Sequence, residues 1–265
     1  MYNYFVIDTH AHLSEKFCPD VKSGQALIEE LTVILAGSNV TDSRENIELA
    51  KNNLKLWASV GIHPQCTDPE NLDAIEKQLK LLEDMVKSNK YVVAIGECGL
   101  DFSPPPPEER ERSKEEQEKL FLGQIKIAKK YQKPLIIHAR KAIDEVIEIL
   151  KKYKNLSGVF HCYTGGKKRI QKVLGLGDQW YFGIDGNLTY EVGLAEVVAA
   201  IPKERLILET DSPFLTPVPF RGQTNKPEYV KYIYEKLAEI WKLSLNETEK
   251  MIDRNAKRLF NIIRE

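Results

Sequence analysis

Residues 5–13 read FVIDTHAHL, a short apolar run that ends in two histidines spaced i and i+2. Runs this short, bounded by polar residues and rich in Val, Ile and Leu, suit buried strands. The pattern recurs at 32–37 (TVILAG), 57–62 (WASVGI), 91–97 (YVVAIGE), 134–139 (PLIIHA), 158–163 (GVFHCY), 180–185 (WYFGID) and 205–211 (RLILETD). Strands that are apolar throughout belong in a parallel sheet covered on both faces. Between them lie helical patterns. Residues 73–87 place Ile75, Leu79, Leu82 and Val86 on one face, 108–131 form a long charged helix that turns apolar from Leu120, and 144–153 form a third. Ser244 and Glu247 have the spacing of a capping box that opens a helix reaching about Phe260. Eight strand–helix units predict an α/β fold, a (β/α)8 TIM barrel, rather than an open doubly wound sheet. No glycine-rich phosphate loop argues for the open sheet. With no repeat and no low-complexity linker, residues 1–265 read as one domain. The proline run at 104–107 reads as a stiff loop after the fourth strand.

Polar residues that bear chemistry cluster at the ends of these runs. All five histidines do so: His10 and His12, His63, His138 and His161; Glu97 and Asp211 end two more. In a parallel barrel every strand end opens on one mouth, where catalysis is placed. Residues two hundred positions apart are therefore expected to meet. Alternation along a strand turns His10 and His12 the same way, and Glu209 and Asp211 likewise. Neutral imidazoles with carboxylates suit Zn²⁺, Mn²⁺ or Fe²⁺, and so many donors exceed what a closed four-ligand structural site needs.

Bulk properties narrow the partners. The formal net charge is -1 with a pI near 6.6, so contact with nucleic acid would be local to a cleft. No apolar run reaches the roughly 20 residues that span a membrane, and the N-terminus lacks the basic and apolar regions of a secretory signal. The four cysteines, Cys18, Cys66, Cys98 and Cys162, form no C-x-x-C pair and read as reduced thiols of a cytoplasmic protein. Alternation is expected to turn Cys98 and Cys162 away from the site as buried, unreactive thiols.

The motifs D-T-H-A-H-L at 8–13, G-I-H-P at 61–64, G-E-C-G-L-D at 96–101, I-H-A-R at 137–140, H-C-Y-T-G-G at 161–166 and E-T-D-S-P at 209–213 resemble those of the TatD-type metal-dependent deoxyribonucleases. R-G and N-K-P at 221–227 and N-A-K-R-L-F at 255–260 extend the resemblance over essentially the whole chain, in order. It implies a site for two divalent metal ions, Mg²⁺ or Mn²⁺ in activity with Zn²⁺ also compatible. His10, His12 and Asp211 would hold one ion, His138 and His161 the other, and Glu97 would bridge them. It also implies exonuclease cleavage of DNA from the 3′ end of single strands, with no membrane and no obligate protein partner. Three departures stand out: Gln65 where the family often has histidine, Lys226 where it usually has glutamate, and the proline-rich loop at 104–107.

Asp211 and Glu97 are the expected catalytic carboxylates, Asp211 also taking the proton of the attacking water. His63, Arg140 and Arg221 are expected to contact substrate phosphates. Tyr163, Phe102 and Phe214 lie near strand ends, where aromatics more often plug a barrel than stack on bases. Lys167, Lys168 and Arg169 read as a solvated helix start. The same ligands would serve a barrel that hydrolyses a small ester, lactone or organophosphate, or the ester of a charged tRNA. A protein using metal only for structure is the remaining alternative.

Overall fold

The computed structural model describes residues 6–13, 31–65, 74–105 and 112–262. Cys18, Cys66, Pro106 and Pro107 lie outside the described residues. Eight strands form one parallel sheet in sequence order: β1 (Val6–Ala11), β2 (Leu31–Leu35), β3 (Leu56–Val60), β4 (Val92–Asp101), β5 (Leu135–Arg140), β6 (Gly158–Phe160), β7 (Trp180–Ile184) and β8 (Leu206–Leu208). The ends of the sheet meet just past β8. A parallel bridge joins Ala11 to Ser212, the Asp211 N–H donates to His10 O at 2.9 Å, and the His12 N–H donates to Ser212 O at 2.7 Å. The expected TIM barrel is what forms.

Strand alternation divides the apolar residues into two layers. Ile7, Ile34, Trp57, Val93, Ile136, Val159, Tyr181 and Ile207, from eight different strands, form one buried cluster. Their neighbours Val33, Leu35, Ile137, Phe160, Phe182 and Leu208 belong to the second cluster, shared with the surrounding helices. The first layer fills the barrel as side chains, so the interior is packed and only the mouth is open to chemistry. Ala256, Leu259 and Phe260 join that inner layer.

The helices are α1 (Val40–Asn52), α2 (Ile75–Ser88), α3 (Lys114–Tyr131), α4 (Ile143–Leu150), α5 (Gly166–Leu174), α6 (Val192–Ala200), α7 (Val230–Trp241) and α8 (Leu245–Phe260). At the start of α8 the Ser244 hydroxyl accepts from Glu247 N–H at 3.3 Å, and the Glu247 carboxylate accepts from Ser244 N–H at 2.9 Å. This is the expected capping box. A second one corrects the expected start of α3 at 108: Ser113 accepts from Glu116 N–H at 3.2 Å, and the helix begins at Lys114. No helix among the described residues is long and apolar enough to cross a membrane.

Two strands differ from their sequence reading at the mouth. β4 continues to Asp101, so Glu97 lies inside it, beside a register shift between Ile95 and Cys98. β8 stops at Leu208, and Asp211 follows in a left-handed conformation with φ 53°.

Candidate metal centre

Close backbone packing sets Glu97 in place. A Cβ on Gly61 would lie 2.3 Å from the Gly96 carbonyl carbon, and one on Gly96 would lie 2.7 Å from Ile136 O. Only paired glycines let β3, β4 and β5 approach this closely. The Glu97 N–H is then held by Gly37 O at 2.7 Å, and its carboxylate reaches the centre of the mouth.

There the two carboxylate oxygens face different partners. Oε2 lies 3.8 Å from His10 Nε2 and 3.8 Å from His12 Nε2. Oε1 lies 2.7 Å from His138 Nδ1 and 3.3 Å from His161 Nε2. Asp211 Oδ1 completes the first group, 3.6 Å from His10 Nε2 and 3.5 Å from His12 Nε2, with those two nitrogens 3.3 Å apart. Donors bound at about 2.0–2.1 Å to one divalent ion lie about 3.0–3.4 Å from each other. The first group is within a few tenths of an ångström of that spacing, so its residues fit a metal ion. The charge balance agrees. Among the described residues, every ion-pair partner of Glu97, Asp101, Glu209 and Asp211 within 4.0 Å is a histidine, with no lysine or arginine.

The outer hydrogen bonds decide which ring nitrogens can ligate. His161 Nδ1 lies 3.2 Å from Glu209 Oε1, which accepts its N–H, so that in the neutral ring Nε2 presents a lone pair to the centre. His138 Nε2 lies 3.1 Å from Asp101 Oδ2, which leaves Nδ1 for the Glu97 side. Ser38 Oγ lies 3.4 Å from His12 Nδ1 and serves in the same way. His63 is the opposite case. Its Nδ1 accepts the Gln65 N–H at 3.1 Å, so the neutral ring carries its proton on Nε2, 3.9 Å from Glu97 Oε1. Burial, reinforced by His138, pushes His63 down to about 3, which keeps the ring neutral. His63 therefore donates into the mouth and offers no lone pair there, although its distances to Glu97 and His138 would admit a metal. Burial also lowers His10, and it opposes ionisation of Glu97; nearby His161 and His63 nevertheless hold the Glu97 carboxyl well below its usual range.

Four of the expected ligands, His10, His12, His138 and His161, thus surround the Glu97 carboxylate, and Asp211 joins through His10 and His12. At metal-ligand spacing His161 groups with His10 and Glu97, and His138 with His63 and Glu97. Other expectations need correction. The left-handed turn at Asp211 breaks strand alternation, so Glu209 and Asp211 do not share a face: Asp211 faces His10 and His12, and buried Glu209 faces His161 and the Cys162 N–H at 2.5 Å. Cys162 also has positive φ, and its sulfur is grouped with His161 and Glu209 instead of turning into the helix interface. Burial pushes the thiol up, and Asp185, Asp211 and Glu209 add to that. Cys98 is buried as expected. Arg140, the last residue of β5, is exposed, and Arg221 is exposed with its guanidinium 3.6 Å from the centre of the Tyr190 ring. Tyr163 is buried edge-on against Phe182 in the outer layer and offers no open face for stacking. Gln65 binds Asp101 O and Ser103 O at 3.0 and 3.1 Å, fixing the end of β4. Lys167 and Arg169 pair with Glu196 and Asp144 on the helices.

The outer partners Asp101 and Ser38 have no expected role in the sequence reading, and Gln65 enters it only as a departure from the family pattern. For Asp101 a signal exists: Glu97, Gly99 and Asp101 alternate along one strand. For Ser38 none does.

A barrel with a histidine–carboxylate centre at the strand ends is the architecture of metal-dependent hydrolases. The model of the TatD related DNase family matches residues 7–261, and the chain belongs to that family. It is 35% identical over 266 residues to the uncharacterized metal-dependent hydrolase YabD of Bacillus subtilis, covering 97% of this chain and 99% of that one. It is 32% identical over 245 residues to the 3′-5′ ssDNA/RNA exonuclease TatD of Salmonella typhimurium, covering 87% and 88%. The crystal structure of YJJV, a TatD homologue from Escherichia coli, superposes with a TM-score of 0.86 at 27% identity over 99% of this chain and 100% of that one.

Proposed function

We propose that the chain is a two-metal phosphodiesterase that removes nucleotides from the 3′ end of single-stranded DNA. The carrying observation is the division of the Glu97 carboxylate, Oε2 toward His10 and His12 and Oε1 toward His138 and His161. His10, His12 and Asp211 would hold one ion, His138 and His161 the second, with Glu97 between. Two such ions, when bound, lower the pKa of water from 15.7 toward about 7 and offset the charge that grows on the phosphoryl group.

The remaining steps belong to the protein. His63 donates its Nε2 proton in a hydrogen bond to a phosphoryl oxygen, a role for which the bond from Gln65 orients it. Asp211 keeps part of its side chain open to solvent and accepts the proton of the attacking water. Arg140 and Arg221 bind the flanking phosphates at the rim, which suits a chain with net charge -1 that can offer only local cations. The ssDNA/RNA exonuclease name of the Salmonella relative supports nucleic acid over a small ester.

The test is digestion of 5′- and 3′-labelled single-stranded oligonucleotides with Mg²⁺ or Mn²⁺, beside a His10→Ala/His12→Ala control. The expected result is early release of the 3′ label as mononucleotide, a descending ladder from the 5′ label, and neither in the control. No cleavage with any divalent metal, with turnover of a lactone or carboxylic ester instead, would overturn the reading.

A further inference from the structure

Arg221 is a cation that the fold holds in place without neutralising it. It follows β8 in a tight turn at 220–223, closed by the Gln223 N–H on Phe220 O at 3.0 Å, with Gly222 at φ 85° in the third position. Two more bonds tie the turn down. Thr216 Oγ1 donates to Gln223 O at 2.6 Å, and the Val218 N–H donates to Thr189 Oγ1 at 2.9 Å, in the loop after β7. Phe220 stacks on Tyr229 with ring centres 4.4 Å apart. From this fixed backbone the guanidinium lies over the Tyr190 ring, 3.6 Å from its centre. Tyr190 is held in turn: its hydroxyl donates to Asn187 Oδ1, and the Asn187 N–H donates to Asp185 Oδ1 at 2.7 Å, just past β7.

Other cations past the strand ends are paired with carboxylates. Lys226 faces Glu228 at 4.0 Å, Lys167 faces Glu196 at 2.7 Å and Arg169 faces Asp144 at 2.6 Å. Among the described residues Arg221 has no carboxylate within 4.0 Å, those of the metal centre included, and no side-chain hydrogen bond; its partner is the face of Tyr190. A guanidinium laid on a ring is restrained without losing a donor, because its five N–H groups lie in its plane and the ring takes the face. That fork matches a phosphate. Removal of a 3′-terminal nucleotide leaves the next phosphate of the strand on the 5′ side of the cut. We infer that Tyr190 is a positioning residue, which lays Arg221 out as the clamp for that phosphate. The inference rests on the nuclease reading and narrows its substrate to strands with at least two phosphates, because a lone phosphodiester or a small ester leaves the clamp nothing to hold.

The experiment is a double-mutant cycle on kcat/KM for release of a labelled 3′-terminal nucleotide. Wild type, Tyr190→Ala and Tyr190→Phe each digest, with Mn²⁺, a single-stranded oligonucleotide and the same strand with an uncharged methylphosphonate at the second linkage from the 3′ end. Removing that charge is expected to cost wild type about 10- to 150-fold, the worth of hydrogen bonds to a charged group. Tyr190→Ala is expected to lose about 2- to 30-fold on the natural strand, the worth of the contact between cation and ring. On the modified strand it is expected to lose much less, because the two changes disable one clamp. Both losses fall on KM, since the flanking phosphate is bound alike before and during cleavage. Tyr190→Phe, which keeps the ring and gives up only the bond to Asn187, is expected to keep most of the wild-type discrimination. Equal cleavage of the two strands by wild type, the same loss from Tyr190→Ala on both strands, or a fall in kcat alone would overturn the clamp while leaving the nuclease reading intact. Absence of cleavage of the natural strand by wild type would overturn both.

Discussion

Individual side chains in the mouth separate into those that face the centre and those that aim them. Glu209 is of the second kind: one oxygen accepts the His161 Nδ1–H, and the other is buried without a partner. Glu209→Gln should leave the fold unchanged by circular dichroism but weaken metal binding or activity about 10–100-fold, because His161 loses the charge that orients it. Asp211 is of the first kind. Asp211→Asn should lower kcat by about 10²–10⁴ with metal still bound, measured by single-turnover cleavage beside metal analysis. Wild-type turnover in that variant would exclude proton transfer to Asp211. The six inward residues were legible because each is a ligand type placed at or near a strand end. Which way Glu209 and Asp211 point was not, because a single left-handed residue reverses strand alternation and leaves no mark in the sequence. The place of His63 at the mouth was legible, but its tautomer is set by a backbone N–H of Gln65 and was not.

At the scale of elements, the strands were legible and their ends were not. Near-continuous Val, Ile and Leu runs identify eight parallel strands, yet β4 runs four residues past Glu97 and β8 stops three short of Asp211. Both differences occur where backbone irregularity serves the site. Helices with a polar face were readable, as with α2 and α8. By contrast, α6 reads VGLAEVVAA, apolar almost throughout, and offers no periodicity to detect. The α8 capping box was readable and can be weighed. Ser244→Ala should cost about 1 kcal/mol. In a thermal melt that is a shift of roughly 2–4 °C for a chain of this size. An unchanged melting temperature would mean that α8 is held by its buried face, with Phe260 in the inner layer, and not by its cap.

At the scale of the whole molecule, two buried carboxyls, Asp253 and Asp185, contribute to stability in the direction opposite to ordinary acid denaturation. Burial pushes Asp253 up to about 7, against the pull of Lys257 and the Tyr234 hydroxyl. Asp185 is likewise raised to about 6. A carboxyl with a raised folded pKa keeps its proton in the native state where the unfolded chain has lost it. Its contribution therefore falls as pH rises from about 4 to about 7. Urea unfolding across that window should show stability falling more, or rising less, with pH in wild type than in Asp253→Asn; identical slopes would mean that Asp253 titrates normally. The barrel itself brings all the site residues together, since parallel strands in sequence order send residues 10 to 211 to one mouth. In that mouth one carboxylate, Glu97, faces two sets of histidines. The most direct measurement is anomalous diffraction from crystals soaked in Mn²⁺. The expected map has two peaks about 3.5–4 Å apart, one on His10, His12 and Asp211, the other on His138 and His161, with Glu97 between them. A single peak, or two that do not both touch Glu97, would contradict it.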